Sequence, residues 1–207
     1  MTSRSLTLRA ACLLSMMGLM LLTACSRSLP VKYYTLHPAP AASMVDTLPP
    51  DMAIVVGPVI IPSALDRQLI VTRDAHDNLR LSEYHRWAGP LQKNIAAVLA
   101  QNLASRLGSQ RVTAYTVEDI FPPTHRIVVS INRFDGGLEG NFVLDATWSL
   151  KKIGSKPSLQ IRRTTIDQPL SSPDYDGLVA AQSKALASLS EKMAAAILEL
   201  ARKNAKN

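Results

Sequence analysis

Residues 51–207 predict a single α+β domain: a largely antiparallel mixed sheet with two amphipathic helices packed on one of its faces. Two stretches, 90–107 and one ending near Ala201, repeat apolar residues at helical spacing along a single stripe. Three others, 126–134, 141–153 and 158–166, alternate apolar and polar residues and are separated by turn-forming clusters. A helix with one apolar stripe must bury it, and a sheet with one apolar face offers the matching surface.

In chain order, residues 31–36 read as a short strand carrying Tyr33 and Tyr34. Residues 37–50 hold Pro38, Pro40, Pro49 and Pro50 and read as an extended connector, because proline lacks a donor and disfavours helix before itself. Ile54, Val55 and Val56, then Val59, Ile60 and Ile61, form a β-branched run broken at Gly57 and Pro58; it suits a strand buried on both faces. Residues 68–73 and 78–82 read as two short strands around a turn at Asp74 to Asn78. In the first helix Leu91, Ile95, Val98, Leu99, Leu103 and Leu107 share a stripe; Pro90 suits its first position and Gly108 its stop. Residues 111–117 form a strand.

The next pair reads as a β-hairpin. Ile127, Val129 and Ile131 alternate with polar positions, as do Leu144, Ala146, Trp148 and Leu150. Asp135, Gly136, Gly137, Gly140 and Asn141 supply turn chemistry between them. Residues 154–157 turn the chain into a third antiparallel strand, 158–166. Asp174 or Asp176 caps the last helix, whose buried stripe includes Leu178, Leu186, Leu189, Met193 and Ile197; Lys203 and Lys206 follow its negative end.

Before this domain lies an export signal. Arg4 and Arg9 form a positive start, 10–22 is an apolar run, and small residues precede a cysteine. The run is short of the about 20 apolar residues needed to span a bilayer. Leu22, Thr23, Ala24 and Cys25 match the pattern of a lipobox, in which the thiol accepts a diacylglyceryl group and small side chains admit the peptidase. The expectation is a leader over 1–24, cut between Ala24 and Cys25. Residues 25–50 then hold the lipid anchor, the short strand and the proline-rich connector. Acyl chains contribute ~0.8 kcal/mol per buried CH₂. Cys12 leaves with the leader, so Cys25 is the mature chain's only cysteine and no disulfide can form within it. Ser26, where aspartate would favour retention in the inner membrane, points to the outer membrane.

Composition narrows the function classes. At 47 % hydrophobic and 19 % charged residues, the composition does not suggest disorder. The net charge of +7 includes two arginines lost with the leader, and the remaining basic residues are spread without an aromatic-interleaved stripe, which argues against nucleic acid. His37, His76, His85 and His125 are scattered and no metal site is expected. No Gly-x-Ser-x-Gly elbow is present. The glycines at 136, 137 and 140 do not open a helix, so they do not make a phosphate loop. Asp135 and Glu139 lack the other ligands of a calcium loop, and nothing pairs Asp145, Asp167, Asp174 or Asp176 for acid–base work. A non-enzymatic protein without a cofactor is the expectation. Arg86 and Trp87, before the first helix, are open to two readings: a core anchor at the helix start, or a partner contact.

An ordered set of segments then resembles the ABC-type transport auxiliary lipoproteins, in particular their PqiC-like (YmbA-like) branch in the Pqi system. The set comprises Tyr33, Tyr34, Thr35 and Leu36; Ile54 to Val59; Ile61 and Pro62; and Leu65, Asp66 and Arg67. It continues with Arg86 to Leu91; Phe134, Asp135 and Gly136; Ala146 to Leu150; and Asp174, Tyr175 and Asp176. The resemblance implies an outer-membrane lipoprotein of Gram-negative bacteria that serves membrane integrity. It implies a homo-oligomeric ring working with a PqiB-like MCE-domain tunnel protein in lipid transport, with phospholipid as a further ligand. Arg86, Trp87, Phe134, Asp135 and Gly136 are the candidate interface. The alternatives are a lipid-carrying module, which needs an apolar cavity, and an envelope hydrolase, which needs a clustered site.

Overall fold

Most of the strand residues join in one five-stranded sheet, seen in a computed structural model that describes residues 29–40, 47–115, 121–154 and 160–204. The expected leader, Cys25, residues 116–117 of the fifth strand and residues 155–159 of the third hairpin turn and strand lie outside the described residues. From Val31 the elements run β1 (Lys32–Tyr34), β2 (Ile54–Ile60), β3 (Leu69–Arg73), β4 (Leu79–Trp87), α1 (Leu91–Arg106), β5 (Val112–Ala114), β6 (His125–Gly136), β7 (Asn141–Lys152), β8 (Gln160–Pro169) and α2 (Tyr175–Asn204).

The large sheet has the order β5-β2-β6-β7-β8. β6, β7 and β8 form the expected antiparallel meander, while β2 runs parallel to both its neighbours. That placement explains the β-branched run: Ile54, Val55 and Val56 are all buried, as parallel strands covered on both faces require. Gly57 and Pro58 do not break the strand. They make a register shift between Val56 and Val59, and a side chain at Gly57 would collide with Tyr115. α1 packs on β2 and β5, α2 on β7 and β8, and the two helices on each other, so both cover one face. Ile127, Val129, Ile131, Leu144, Ala146, Trp148 and Leu150 point into that layer.

Trp148 shows how the core handles a polar tip. It is 1 % exposed, and its indole Nε1–H donates to the Thr164 hydroxyl across the strand pair at 3.1 Å. Thr164→Val keeps the shape and removes the acceptor. A buried donor left unpaired costs about 1–3 kcal/mol, and the loss is expected in denaturant unfolding; an unchanged midpoint would show that the bond contributes nothing.

A second, three-stranded sheet has the order β1-β4-β3, with β1 parallel and β3 antiparallel to β4. Periodicity suggests a strand ending at Ser82, because Glu83 to Arg86 is polar. β4 instead continues to Trp87, since it is paired on both sides: His85 and Arg86 with Lys32 and Tyr33, and Arg86 also with Leu69. The Asp74 turn forms as expected, its carboxylate accepting from the backbone N–H of His76 and Asn78.

Helix ends follow the sequence signals with one adjustment. Pro90 sits just outside α1, with an extended ψ of 123°, instead of in its first turn. At the other end Gly108 takes φ 55°; its N–H donates to Ser105 and that of Ser109 to Ala104, which satisfies the last carbonyls. Of the two acids before α2, Asp174 is the cap: its carboxylate accepts from Gly177 N–H at 2.7 Å and from the Ser172 hydroxyl. The described part of the connector is pinned to the helices. The N–H groups of Leu36 and Ala39 donate to Asn94 and Asn102 of α1, and that of His37 to Ser183 of α2. Polar residues inside these helices thus satisfy a strand-like segment that has no sheet partner.

Candidate functional site

The end of the β6–β7 hairpin is where the two sheets meet. β6 carries an irregularity between Ile131 and Arg133, which puts Arg133 opposite Asp145 and Asp135 opposite Val143 on the face away from the helices. There Asp135 meets β3. Arg73 grips its carboxylate with both arms of the guanidinium, at 2.7 and 2.9 Å, and Arg133 adds a third bond at 3.0 Å. Burial pushes the Asp135 carboxyl pKa up. The hydrogen bonds and charges of Arg73 and Arg133 outweigh that and hold it below the usual carboxylate range. Arg73 reaches on to the Asp77 carbonyl, tying the β3–β4 turn to the cluster. Above the cluster, the β3–β4 turn and the hairpin tip enclose an open cavity of about 600 Å³, lined by charged groups such as Arg73, Asp74, Arg80, Arg133 and Glu139.

The five interface candidates separate on this geometry. Trp87, at 4 % exposure, is the core anchor of the two readings. Its neighbours on either side, Arg86 and Ala88, are held in the β4 pairing and by the Tyr34 carbonyl. Phe134 is 1 % exposed and meets Phe142 edge-on at 4.9 Å between centroids. Asp135 is sealed in its ion pairs. Gly136 belongs to β6 and not to the turn, and a Cβ there would run into the Asn141 carbonyl. The structure places these four in the interior, engaged in strand pairing and packing. Arg86 alone is half exposed, with its Nε buried and without a hydrogen-bond partner among the described residues. The turn of the hairpin itself is the four residues from Gly137 to Gly140.

Sequence reasoning does not single out Arg73 and Arg133. The available signal is Asp135 itself, a carboxylate four positions past Ile131, the last residue of the alternation, which needs a cation from elsewhere.

Chemically the cluster holds charge without moving protons. A carboxylate bound by two guanidinium groups stays ionised, and among the described residues no nucleophile lies in its hydrogen-bond network. Among the described residues no group of three or more His, Cys, Asp and Glu side chains is placed to hold a metal. Asp145 is likewise clamped, by both arms of Arg163 and by Thr165. His85 is stacked on Tyr175 at 3.8 Å and bonded to the Ser82 hydroxyl, a packing arrangement between β4 and α2.

The model of the ABC-type transport auxiliary lipoprotein component family matches residues 34–194. No curated protein matches the chain. Among solved structures, an uncharacterized protein is similar with 21 % identity and a TM-score of 0.67, over 82 % of this chain and 99 % of that one. Protein XCC0632 from Xanthomonas campestris is similar with 16 % identity and a TM-score of 0.64, over 85 % and 100 % of the two chains. These two likenesses speak to the fold.

Proposed function

The chain belongs to the family of ABC-type transport auxiliary lipoprotein components, and from that membership we propose that it is a PqiC-like, non-catalytic subunit of an MCE-type lipid-transport system, anchored through Cys25 to the periplasmic face of the outer membrane. The observation that carries this is the family match over nearly the whole described fold, joined to the lipobox that precedes it. No helix among the described residues is long and apolar enough to cross a membrane, which suits attachment by acyl chains. On this reading the folded body docks the end of a PqiB-like MCE tunnel and stands in a homo-oligomeric ring.

Packing favours a docking subunit over a lipid-carrying module. The layer between the large sheet and the helices is filled by Trp148, Phe134, Phe142, Leu99 and Leu103, each under 2 % exposed. The cavity at the hairpin tip is open and lined with charges. An acyl chain needs an apolar enclosure, and this body spends its apolar side chains on itself. In-envelope cross-linking of the tagged, full-length protein, with partners identified by mass, is expected to recover an MCE-domain protein and higher oligomers of the chain. Recovery of neither from cells that express the whole system would overturn the proposal.

A further inference from the structure

The fold meets its tether at β1. Six peptide steps separate Cys25 from Val31. At no more than ~3.6 Å per residue they reach about 22 Å. If Cys25 is acylated, as proposed above, covalent reach alone limits how far Val31 can stand from the acylated residue.

The surface of β1 suits that position. Among the described residues it is the outer strand of its sheet, paired on one side only. Tyr33 is 65 % exposed and lies in register with Arg86 of β4. Tyrosine combines an apolar ring with a polar tip, the character favoured at a bilayer interface. Between β1 and the start of α2 runs a groove of about 460 Å³, whose walls include Lys32, Tyr34, Asp176, Val179 and Ala180. Lys32 makes no ion pair among the described residues. Asp176 lies close enough to Tyr34 that, after burial, its charge is the main cause holding the phenol pKa up. One ammonium and one carboxylate over an aliphatic floor complement a zwitterion. With Asp174 also near Lys32, the site is not cationic enough to select an anionic lipid.

We propose that β1 and its groove with α2 form the face by which the body rests on the membrane, with Lys32 taking the phosphate and Asp176 the ammonium of a phosphatidylethanolamine headgroup, and Tyr33 seated in the interface. This face is separate from the hairpin tip and orients the body on its anchor.

The test uses the full, acylated protein, whose single native cysteine is blocked by its acyl group. Val31→Cys and, on the far edge strand, Ile161→Cys are each labelled with a fluorophore. Both side chains are exposed, so neither change disturbs the core. In vesicles of phosphatidylethanolamine with phosphatidylcholine, the label at 31 is expected to be quenched by aqueous iodide several-fold less than the label at 161. Vesicles of phosphatidylcholine alone, whose choline cannot donate to a carboxylate, should shrink that difference, as should Lys32→Ala or Asp176→Asn. Equal quenching at the two positions would overturn the membrane-facing surface. Protection at 31 that is indifferent to lipid and to both substitutions would overturn the headgroup site. Failure of the unlabelled protein to carry acyl groups or to float with vesicles would instead remove the anchor itself, and this proposal with it.

Discussion

Cys25→Ala is expected to abolish fatty-acid incorporation and to empty the outer-membrane fraction of this protein. The physical reason is the size of the anchor term. Each buried CH₂ contributes about 0.8 kcal/mol; one chain alone gives marginal, reversible binding and a second makes detachment negligible. No helix among the described residues can substitute by crossing the bilayer. Loss of one sulfur therefore removes the acyl anchor, while leaving the folded domain intact. Growth with a clickable fatty acid, followed by flotation of separated membranes, measures both effects. The same domain carried by an ordinary export signal, without Cys25, should be recovered as soluble periplasmic protein with an unchanged unfolding curve. Acyl label on the alanine variant, or its undiminished presence in the outer membrane, would end the lipoprotein reading.

Asp135→Ala is the substitution within the fold expected to cost most. It strips the shared anion from Arg73 and Arg133 where their guanidinium groups converge. The Asp135 side chain is 5 % exposed, whereas Arg73 and Arg133 are 24 % and 39 % exposed and can partly recover water. Breaking a buried pair costs about 3–5 kcal/mol, and that partial recovery places this case near 3 kcal/mol. For a domain of this size that lowers Tm by roughly 6–12 °C. Asp135→Asn keeps the shape and should lose less. The pH dependence gives an independent check. The folded pKa of Asp135 is depressed, so its stabilisation is fully present above the unfolded carboxylate value of about 3.9 and is lost as pH falls through the lower folded value. Wild-type stability should therefore fall more steeply below about pH 4 than that of the alanine variant. Parallel pH profiles for the two proteins would show that the pair contributes no net stability.

Individual elements differ in how far the chain alone makes them legible. The α1 stripe from Leu91 to Leu107, the Gly108 stop, the Asp74 turn and the alternation through Trp148 can all be read from neighbours in the chain, because the signals are local: a helical or strand period, a residue that tolerates positive φ, a short carboxylate near its own backbone. The choice between Asp174 and Asp176 as cap stays open in the sequence, because both are acids within two residues of the helix start; Ser172 and Gly177 decide it in space. The interface candidates fare worst. Arg86, Trp87, Phe134, Asp135 and Gly136 sit at element ends, where a chain-local view sees turn chemistry. In the fold, a second sheet closes over the hairpin end and β4 runs on to Trp87, so four of the five are interior.

Chain-local chemistry is enough to specify the class of the fold, its helices and meander, the family, and the expectation of an acylated cysteine six steps from the first strand. Each rests on residues that act through the chain near them or through an ordered set of short motifs. The arrangement in space settles the rest: that the strands divide into two sheets, that β2 runs parallel between β5 and β6, that Arg73 holds Asp135 across 62 positions, and that Lys32 and Asp176 face one groove. Those outcomes depend on which distant segments meet, and pairing between strands is set by the burial of whole faces together, a condition no single stretch of sequence contains.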